Sequence, residues 1–386
     1  MTAESPLDRA RLPASTLLVA RHARLRQRLD TLSLDALVVT CAPNIRYLSN
    51  HTGSAGVFVL TRDGAHLLVD FRYRDAVASL QRSSSACPDL VVRDVPASYD
   101  EALLECLGDL GASVVGFEAA HVPVATHGRW QRMAGARQVD VTFTATESIV
   151  EDARVVKDSF EIATLRDAAA RLTGVARSAL DAVRAGETEW AVAGTIDAAI
   201  RDAGYERPAF DTIVASGPNA ARPHHHPGDR VLADGDLVVL DFGGVLNGYC
   251  CDLTRMASVG APSSDARRLY DAVYDAHQAA IAAVRPGVES TAVDAAARSL
   301  LDSRGLGAAF GHSTGHGLGL DVHELPRIAR ARADAAGVRL EPGMVFTIEP
   351  GAYVPGVGGV RIEDDVLVTE TGCDVLTAVP HGLCSR

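Results

Sequence analysis

The chain repeats itself. Ala182-Val183-Arg184-Ala185-Gly186 recurs as Ala283-Val284-Arg285-Pro286-Gly287, 101 residues further on, and each copy leads into an alanine-rich helical pattern ending near Gly204 or Gly305. Gly235-Asp236-Leu237-Val238-Val239-Leu240-Asp241-Phe242-Gly243 then aligns with Gly343-Met344-Val345-Phe346-Thr347-Ile348-Glu349-Pro350-Gly351 at an offset of 108. A repeat of this length constrains a fold more than any local pattern, because each copy must make the same supersecondary unit. The expectation is a duplicated helix-helix-strand-strand unit, of class α/β (α+β), with the two halves related by a pseudo-twofold. Asp241 falls on Glu349, so an acid sits at the same point of each half.

Those acids belong to a larger set. Asp241, Asp252, His316, Glu349 and Glu363 each stand beside a short apolar run that reads as a strand. Four carboxylates and one imidazole form a ligand set for two divalent ions, held about 3.5–4 Å apart with a water between them. Asp241 ends the run Leu237–Leu240 and Asp252 begins Asp252-Leu253-Thr254-Arg255 after the turn signal Asn247-Gly248, which predicts a β-hairpin. Across a two-residue loop, residues whose numbers sum to an odd value share a face, so both carboxylates can point the same way. Glu349 closes Met344–Ile348 and Glu363 sits inside Val360-Arg361-Ile362-Glu363, which reads as a second carboxylate-bearing strand pair. Arg361 lies two residues before Glu363 and shares its face, where bracing the carboxylates and meeting a substrate are both open to it. Tyr353 follows Glu349 closely; contact with the site and surface packing are both open.

The order and spacing of the five, with Gly315-His316-Gly317-Leu318-Gly319-Leu320, Thr347-Ile348-Glu349-Pro350-Gly351 and Arg361-Ile362-Glu363-Asp364, resembles the pita-bread metallopeptidases, and among them aminopeptidase P and prolidase. Asn44-Ile45-Arg46-Tyr47-Leu48, Thr52-Gly53-Ser54 and Asp70-Phe71-Arg72-Tyr73 look like the creatinase/prolidase N-terminal domain, so the resemblance spans nearly the whole chain. It implies that Asp241 binds one ion, His316 and Glu349 the other, and that Asp252 and Glu363 bridge them. It also places His224, 17 residues before Asp241, and His323, 7 residues after His316, on the substrate side as catalytic histidines; His225 and His226 do not match that position. Glu349 is the expected proton shuttle. For His312 a place in the substrate pocket and a structural hydrogen bond are both open. Oxygen-rich ligation favours Mn(II), with Co(II), Fe(II) or Zn(II) also compatible. The implied activity is hydrolysis of the Xaa-Pro bond of short proline-containing peptides or dipeptides, by a homodimer or larger assembly.

Composition narrows the partners. At 386 residues the chain suits two domains, expected as a smaller mixed α/β domain over residues 1–150 and a catalytic domain over 151–386. Ala36–Val39, Gly56–Leu60, His66–Val69 and Ser113–Phe117 read as strands of the first, 151–158 as a charged connector, and Asp158 with Glu161 as the capping box of a long helix. A net charge of −12 and a pI near 5.5 argue against nucleic-acid or anionic-membrane binding; Arg24, Arg26 and Arg28 are too few to reverse that. No segment approaches the roughly 20 apolar residues of a membrane span, and the N-terminus, with Glu4 and Asp8, lacks a long apolar core. Seven scattered cysteines, an odd number, argue against a disulfide framework and fit a reducing cytoplasm. Cys250 should share the face of Asp252 and Cys251 the opposite one, both as packing residues. Three rival readings remain: a metal-free creatinase-like C–N hydrolase, a metal-dependent small-molecule hydrolase or lyase, and a non-enzymatic binding module.

Overall fold

Every residue of the run Ala36-Leu37-Val38-Val39 is buried, which a strand achieves inside a sheet covered on both faces. The computed structural model describes residues 12–331 and 337–385, divided into two compact units at Arg154/Val155. In the first unit the order is α1 (Ser15–Thr31), β1 (Ala36–Val39), α2 (Ala42–Ser49), β2 (Val57–Thr61), β3 (Ala65–Val69), α3 (Arg74–Gln81), β4 (Leu90–Asp94), α4 (Tyr99–Leu110), β5 (Val114–Glu118), α5 (Val124–Arg137), β6 (Thr142–Thr146) and α6 (Ile149–Arg154). The strands form one sheet in the order β4-β3-β2-β1-β5-β6. The pairs β1–β2 and β2–β3 are antiparallel, and the other neighbours are parallel. Leu103, Cys106, Leu107 and Trp130 pack on Val38, Val59 and Val115 to make its core. The expected connector at 151–158 is corrected in its first half. Residues 151–154 complete α6, because Ile149, Val150 and Ala153 bury one side of the turn and Arg154 Nη1 donates to Asn44 Oδ1.

The second unit contains α7 (Ser159–Ala182), α8 (Glu189–Asp202), β7 (Arg207–Pro208), β8 (Ile213–Ser216), β9 (Leu237–Leu246), β10 (Tyr249–Ser258), α9 (Ser264–Ala283), α10 (Ser290–Ser303), β11 (Gly315–Gly317), β12 (Glu324–Ile328), β13 (Val345–Ile348), β14 (Gly351–Val354), β15 (Gly358–Arg361), β16 (Asp364–Val368), β17 (Cys373–Val375) and β18 (Cys384–Ser385). Asp158 caps α7, its side chain accepting from the backbone N–H of Glu161 while the Glu161 side chain accepts from the backbone N–H of Asp158. The helices α7 and α8 pack on Val238, Leu240, Phe242 and Leu253 of one sheet. The pair α9 and α10 packs on Phe346, Ile348 and Val366 of another.

The duplication is visible in the hydrogen bonds. Gly186 N–H donates to Leu232 O and Gly287 N–H to Leu340 O, while Thr188 bridges Val231 and Glu289 bridges Arg339. The first residue of each pair is displaced by 101 and the second by 108, as in the sequence. The helix-ending glycines Gly204 and Gly305 both hold positive φ, 85° and 73°, where a side chain would be strained.

Candidate metal centre

The hairpin β9–β10 forms around Asn247 and Gly248, both with positive φ as a tight primed turn requires. Asp252 pairs with Gly243 and Thr254 with Asp241, so the two aspartates are diagonal neighbours on one face. Both lie inside ten-residue strands, not at strand ends as the apolar runs suggested, because the ladder continues through the small residues Gly243 and Gly244. Cys251 faces the opposite side, packed in the helix-covered core.

The expected second strand pair is also altered. Strand β13 pairs with β16 inside a five-stranded sheet of order β12-β11-β13-β16-β17, and β14 pairs with β15 in a separate two-stranded ribbon. Glu349 and Glu363 occupy the two breaks between them, so Glu363 is at a corner and not within a strand. Pro350 has no N–H to continue the ladder, and the chain turns there. The flanks of His316 must be glycine. A Cβ on Gly315 would stand 1.8 Å from Thr347 O, and one on Gly317 2.1 Å from Leu325 O.

The five side chains converge. Donor atoms of Asp252, His316 and Glu363 lie within 4.8 Å of one another. His316 Nε2 is 3.4 Å from Glu349 Oε1 and 4.0 Å from Asp252 Oδ2. Asp241 joins them through Arg361, whose Nη2 donates to Asp241 Oδ2 and whose Nε donates to Thr254 Oγ1 at 3.3 Å. Thr254 in turn donates to Glu363 Oε2 at 2.6 Å.

Such crowding is costly without a cation. Burial, and then repulsion from Asp241 and Asp365, push the Asp252 carboxyl well above the usual carboxylate range; Glu363 is raised by burial and then by Asp252. Burial pushes Glu349 up to about 7. Asp241 Oδ1 and Asp252 Oδ1 are buried without a hydrogen-bond partner, and native proteins rarely leave such atoms unpaired. His316 Nδ1–H can donate to Gly317 O at 3.1 Å, which leaves the Nε2 lone pair facing carboxylate oxygens. Burial, then the charge of His323, holds His316 down to about 4, so the ring is neutral near pH 7. Orphaned oxygens, a lone pair and excess negative charge at one point are what divalent cations would satisfy.

This has a consequence for pH. Groups whose carboxyl pKa is raised by folding stabilise the metal-free fold fully below their unfolded value, near 4, and lose that contribution as pH rises through the folded value, about 7 for Glu349. The metal-free protein is therefore expected to melt at least about 4 °C lower at pH 8 than at pH 6, while the metal-loaded protein changes little. Calorimetry of chelated and reloaded samples checks this, and parallel pH profiles would contradict it.

The surrounding residues divide by role. His312 Nε2 is 3.0 Å from Tyr353 Oη, and Arg361 Nη1 reaches both Tyr353 Oη at 2.8 Å and Pro223 O at 3.2 Å. Arg361 thus braces Asp241 and also holds the backbone just before His224. Tyr353 is tied into the site through these bonds. The His323 ring stands edge-on to His316, 4.3 Å between centroids, and is exposed, as is His224. His225 instead turns to the buried Glu189, 2.7 Å from its Oε2, and Glu189 also accepts from Ser216, Asn219 and Gly228. The triple-histidine loop is fastened through its middle member while its neighbours stay free to meet solvent.

Four contributors escaped the sequence reading. Thr254 and Thr347 lie two residues from Asp252 and Glu349, and the strand period of two placed them on the ligand face. Thr347 Oγ1 contacts Glu349 Oε1 at 3.3 Å and accepts from His316 N–H at 3.1 Å. Asp365 Oδ2 accepts from Asp252 N–H at 3.1 Å. Asp294 accepts from Thr314, whose carbonyl oxygen accepts from Glu349 N–H at 2.7 Å. The last two contacts join residues 113 and 20 apart, which no local pattern signals.

Comparison with known proteins agrees with this geometry. Residues 163–370 match the model of metallopeptidase family M24, and residues 21–156 match the creatinase/prolidase N-terminal domain. A Xaa-Pro dipeptidase of Pyrococcus horikoshii is 33 % identical over 92 % of this chain and 96 % of its own length. The solved structure of a Xaa-Pro dipeptidase from Bacillus anthracis covers 96 % of this chain and 100 % of that one, at 33 % identity and a TM-score of 0.88. An X-Pro aminopeptidase from Thermotoga maritima covers 93 % and 100 %, at 32 % identity and a TM-score of 0.82. With the duplicated fold, the convergent acids and imidazole, and matches over both units, the chain belongs to metallopeptidase family M24, the pita-bread peptidases that carry a creatinase-like N-terminal domain.

Proposed function

We propose that this protein is a binuclear metallopeptidase that cleaves the Xaa-Pro bond of dipeptides or of peptide N-termini. Asp241, Asp252, His316, Glu349 and Glu363 would hold two divalent ions, Mn(II) first among them given four carboxylates to one imidazole. When bound, the ions would polarise the scissile carbonyl and acidify the water that attacks it. Glu349 takes the proton of that water and returns it to the leaving proline nitrogen. His323, beside His316, and His224 donate towards the carbonyl oxygen as charge develops on it. Arg361 pairs with Asp241 and, through Pro223 O, sets the position of His224.

The observation that carries this reading is the convergence of Asp252, His316 and Glu363 donor atoms within 4.8 Å, with buried oxygens of Asp241 and Asp252 left without a partner, in a chain similar along nearly its whole length to Xaa-Pro dipeptidases. A tertiary amide offers no N–H to the enzyme and restricts the chain around it, so recognition rests on the ring and on the substrate's free amino end. A homodimeric assembly and residence in the cytoplasm complete the proposal; the six cysteines described are all free thiols, as a reducing compartment would keep them.

Ala-Pro is expected to be hydrolysed at least about 100-fold faster than Ala-Ala by the Mn(II)-loaded protein, because only the former fixes the chain in the pocket. Comparing Ala-Pro with Ala-Pro-Ala then separates a dipeptidase from an aminopeptidase. Equal turnover of Ala-Pro and Ala-Ala, or a preference for N-terminal methionine, would refute the Xaa-Pro assignment and leave the metal centre standing.

A further inference from the structure

A second convergence of metal-ligating side chains lies apart from the five. His277 on α9, Asp364 at the start of β16 and His381 in the C-terminal segment each bring a donor atom within 4.8 Å of the others. The side chains of His277 and Asp364 have no exposed surface, and that of His381 is 24 % exposed. His381 Nε2 lies 2.5 Å and His277 Nε2 3.2 Å from the same oxygen, Asp364 Oδ2.

Hydrogen bonding accounts for the His381 contact and leaves His277 Nε2 open. His277 Nε2, although buried and 3.2 Å from Asp364 Oδ2, makes no well-aligned hydrogen bond. Asp364 Oδ1 accepts from Arg255 Nη2 and Thr377 Oγ1, both at 2.7 Å. Those bonds fix the carboxylate and turn Oδ2 towards the two imidazoles. On its far side, His277 Nδ1 is 3.1 Å from the side-chain amide of Gln278. With the amide oxygen in that place, one flip away, Nδ1–H is donated and Nε2 carries its lone pair towards Asp364, the usual arrangement behind a metal-binding imidazole.

We propose that His277, Asp364 and His381 bind one Zn(II) at a site separate from the binuclear centre. Two imidazole nitrogens and one carboxylate oxygen are a ligand set for a late first-row divalent ion in preference to Mn(II) or Mg(II), and zinc accepts three protein ligands with solvent as the fourth. Bonds of about 2.0–2.2 Å around a tetrahedral ion put neighbouring donors roughly 3.4 Å apart. The 3.2 Å separation nearly meets this, and an outward shift of about 1 Å by the partly exposed His381 would supply the rest. An ion here ties the C-terminal segment to α9 and to the residue that directly follows Glu363. It therefore fastens, from the outside, the corner on which one of the five central acids stands.

The test uses full-length protein stripped by chelation, loaded with Zn(II) alone, desalted and assayed for bound metal after denaturation. Wild type is expected to retain three equivalents and His381→Ala two, with the exposed control His121→Ala still at three. Melting curves establish that each variant is folded, and His381, being partly exposed, is the safer substitution beside the fully buried His277→Gln. In a His316→Ala background, adding His381→Ala should still remove one further equivalent, so this proposal and the binuclear reading fail separately. In crystals of the zinc-loaded protein, anomalous density at the zinc edge should appear between the three side chains. Equal stoichiometry in wild type and His381→Ala, or absence of that density, overturns the site.

Discussion

Glu349→Gln is expected to lower kcat by about 1000-fold while the melting temperature of the metal-free protein stays within about 3 °C of wild type or rises. The substitution keeps the shape that Thr347 Oγ1 and the Thr314 carbonyl hold in place. It removes the ability to take a proton from water and return it to the leaving nitrogen. It also removes a charge from a point where three other carboxylates already repel one another, so the metal-free fold loses no net stabilisation. Steady-state kinetics with Ala-Pro, metal analysis and calorimetry on the same preparation separate the effects. Near-normal turnover with two ions bound would take the proton shuttle away from Glu349.

Exhaustive chelation is expected to abolish hydrolysis, with Mn(II) or Co(II) restoring it. The physical basis is the imbalance at the centre. Arg361 is the one guanidinium bonded to the five side chains among the described residues, and it pairs with Asp241 alone. Asp252, Glu349 and Glu363 have no cationic partner of that kind. When metal is removed, they are relieved only by taking up protons, and a protonated set cannot perform the chemistry proposed. Activity should therefore follow occupancy, reaching its maximum as the central five fill with two ions. Full activity in rigorously demetallated protein would sink the binuclear reading and favour a metal-free hydrolase on the same fold.

Much of this was legible in the chain, and for identifiable reasons. The repeat showed itself because glycines with positive φ and helix-terminating segments recur at nearly constant spacing, and such positions tolerate few substitutes. The common face of Asp241 and Asp252 followed from the Asn247-Gly248 turn, since a two-residue loop locks the register and register determines facing. The expected roles for Arg361 and Tyr353 stayed open because strand parity shows which side a residue faces and not what it meets there. The corners at Glu349 and Glu363 were invisible for a related reason. Ile348 and Ile362 look alike to a pattern, yet only the pairing of β13 with β16 and of β14 with β15 shows that the ladder breaks beside each.

By itself the sequence determined the duplicated architecture and which of the hairpin residues share a face, because these depend on local periodicity, turn chemistry and a repeat; the five central side chains were legible through the order and spacing of motifs that resemble a known family. Only the tertiary structure decided the rest. It brought Asp365 behind Asp252 and Thr254 against Glu363, and it turned His225 to Glu189 while leaving His224 exposed. It also gathered His277, Asp364 and His381 from a helix, a strand and the C-terminal segment. Contacts between residues 36 to more than 100 positions apart are selected by which faces of packed elements meet, and that is a property of the assembled core, not of any stretch of chain.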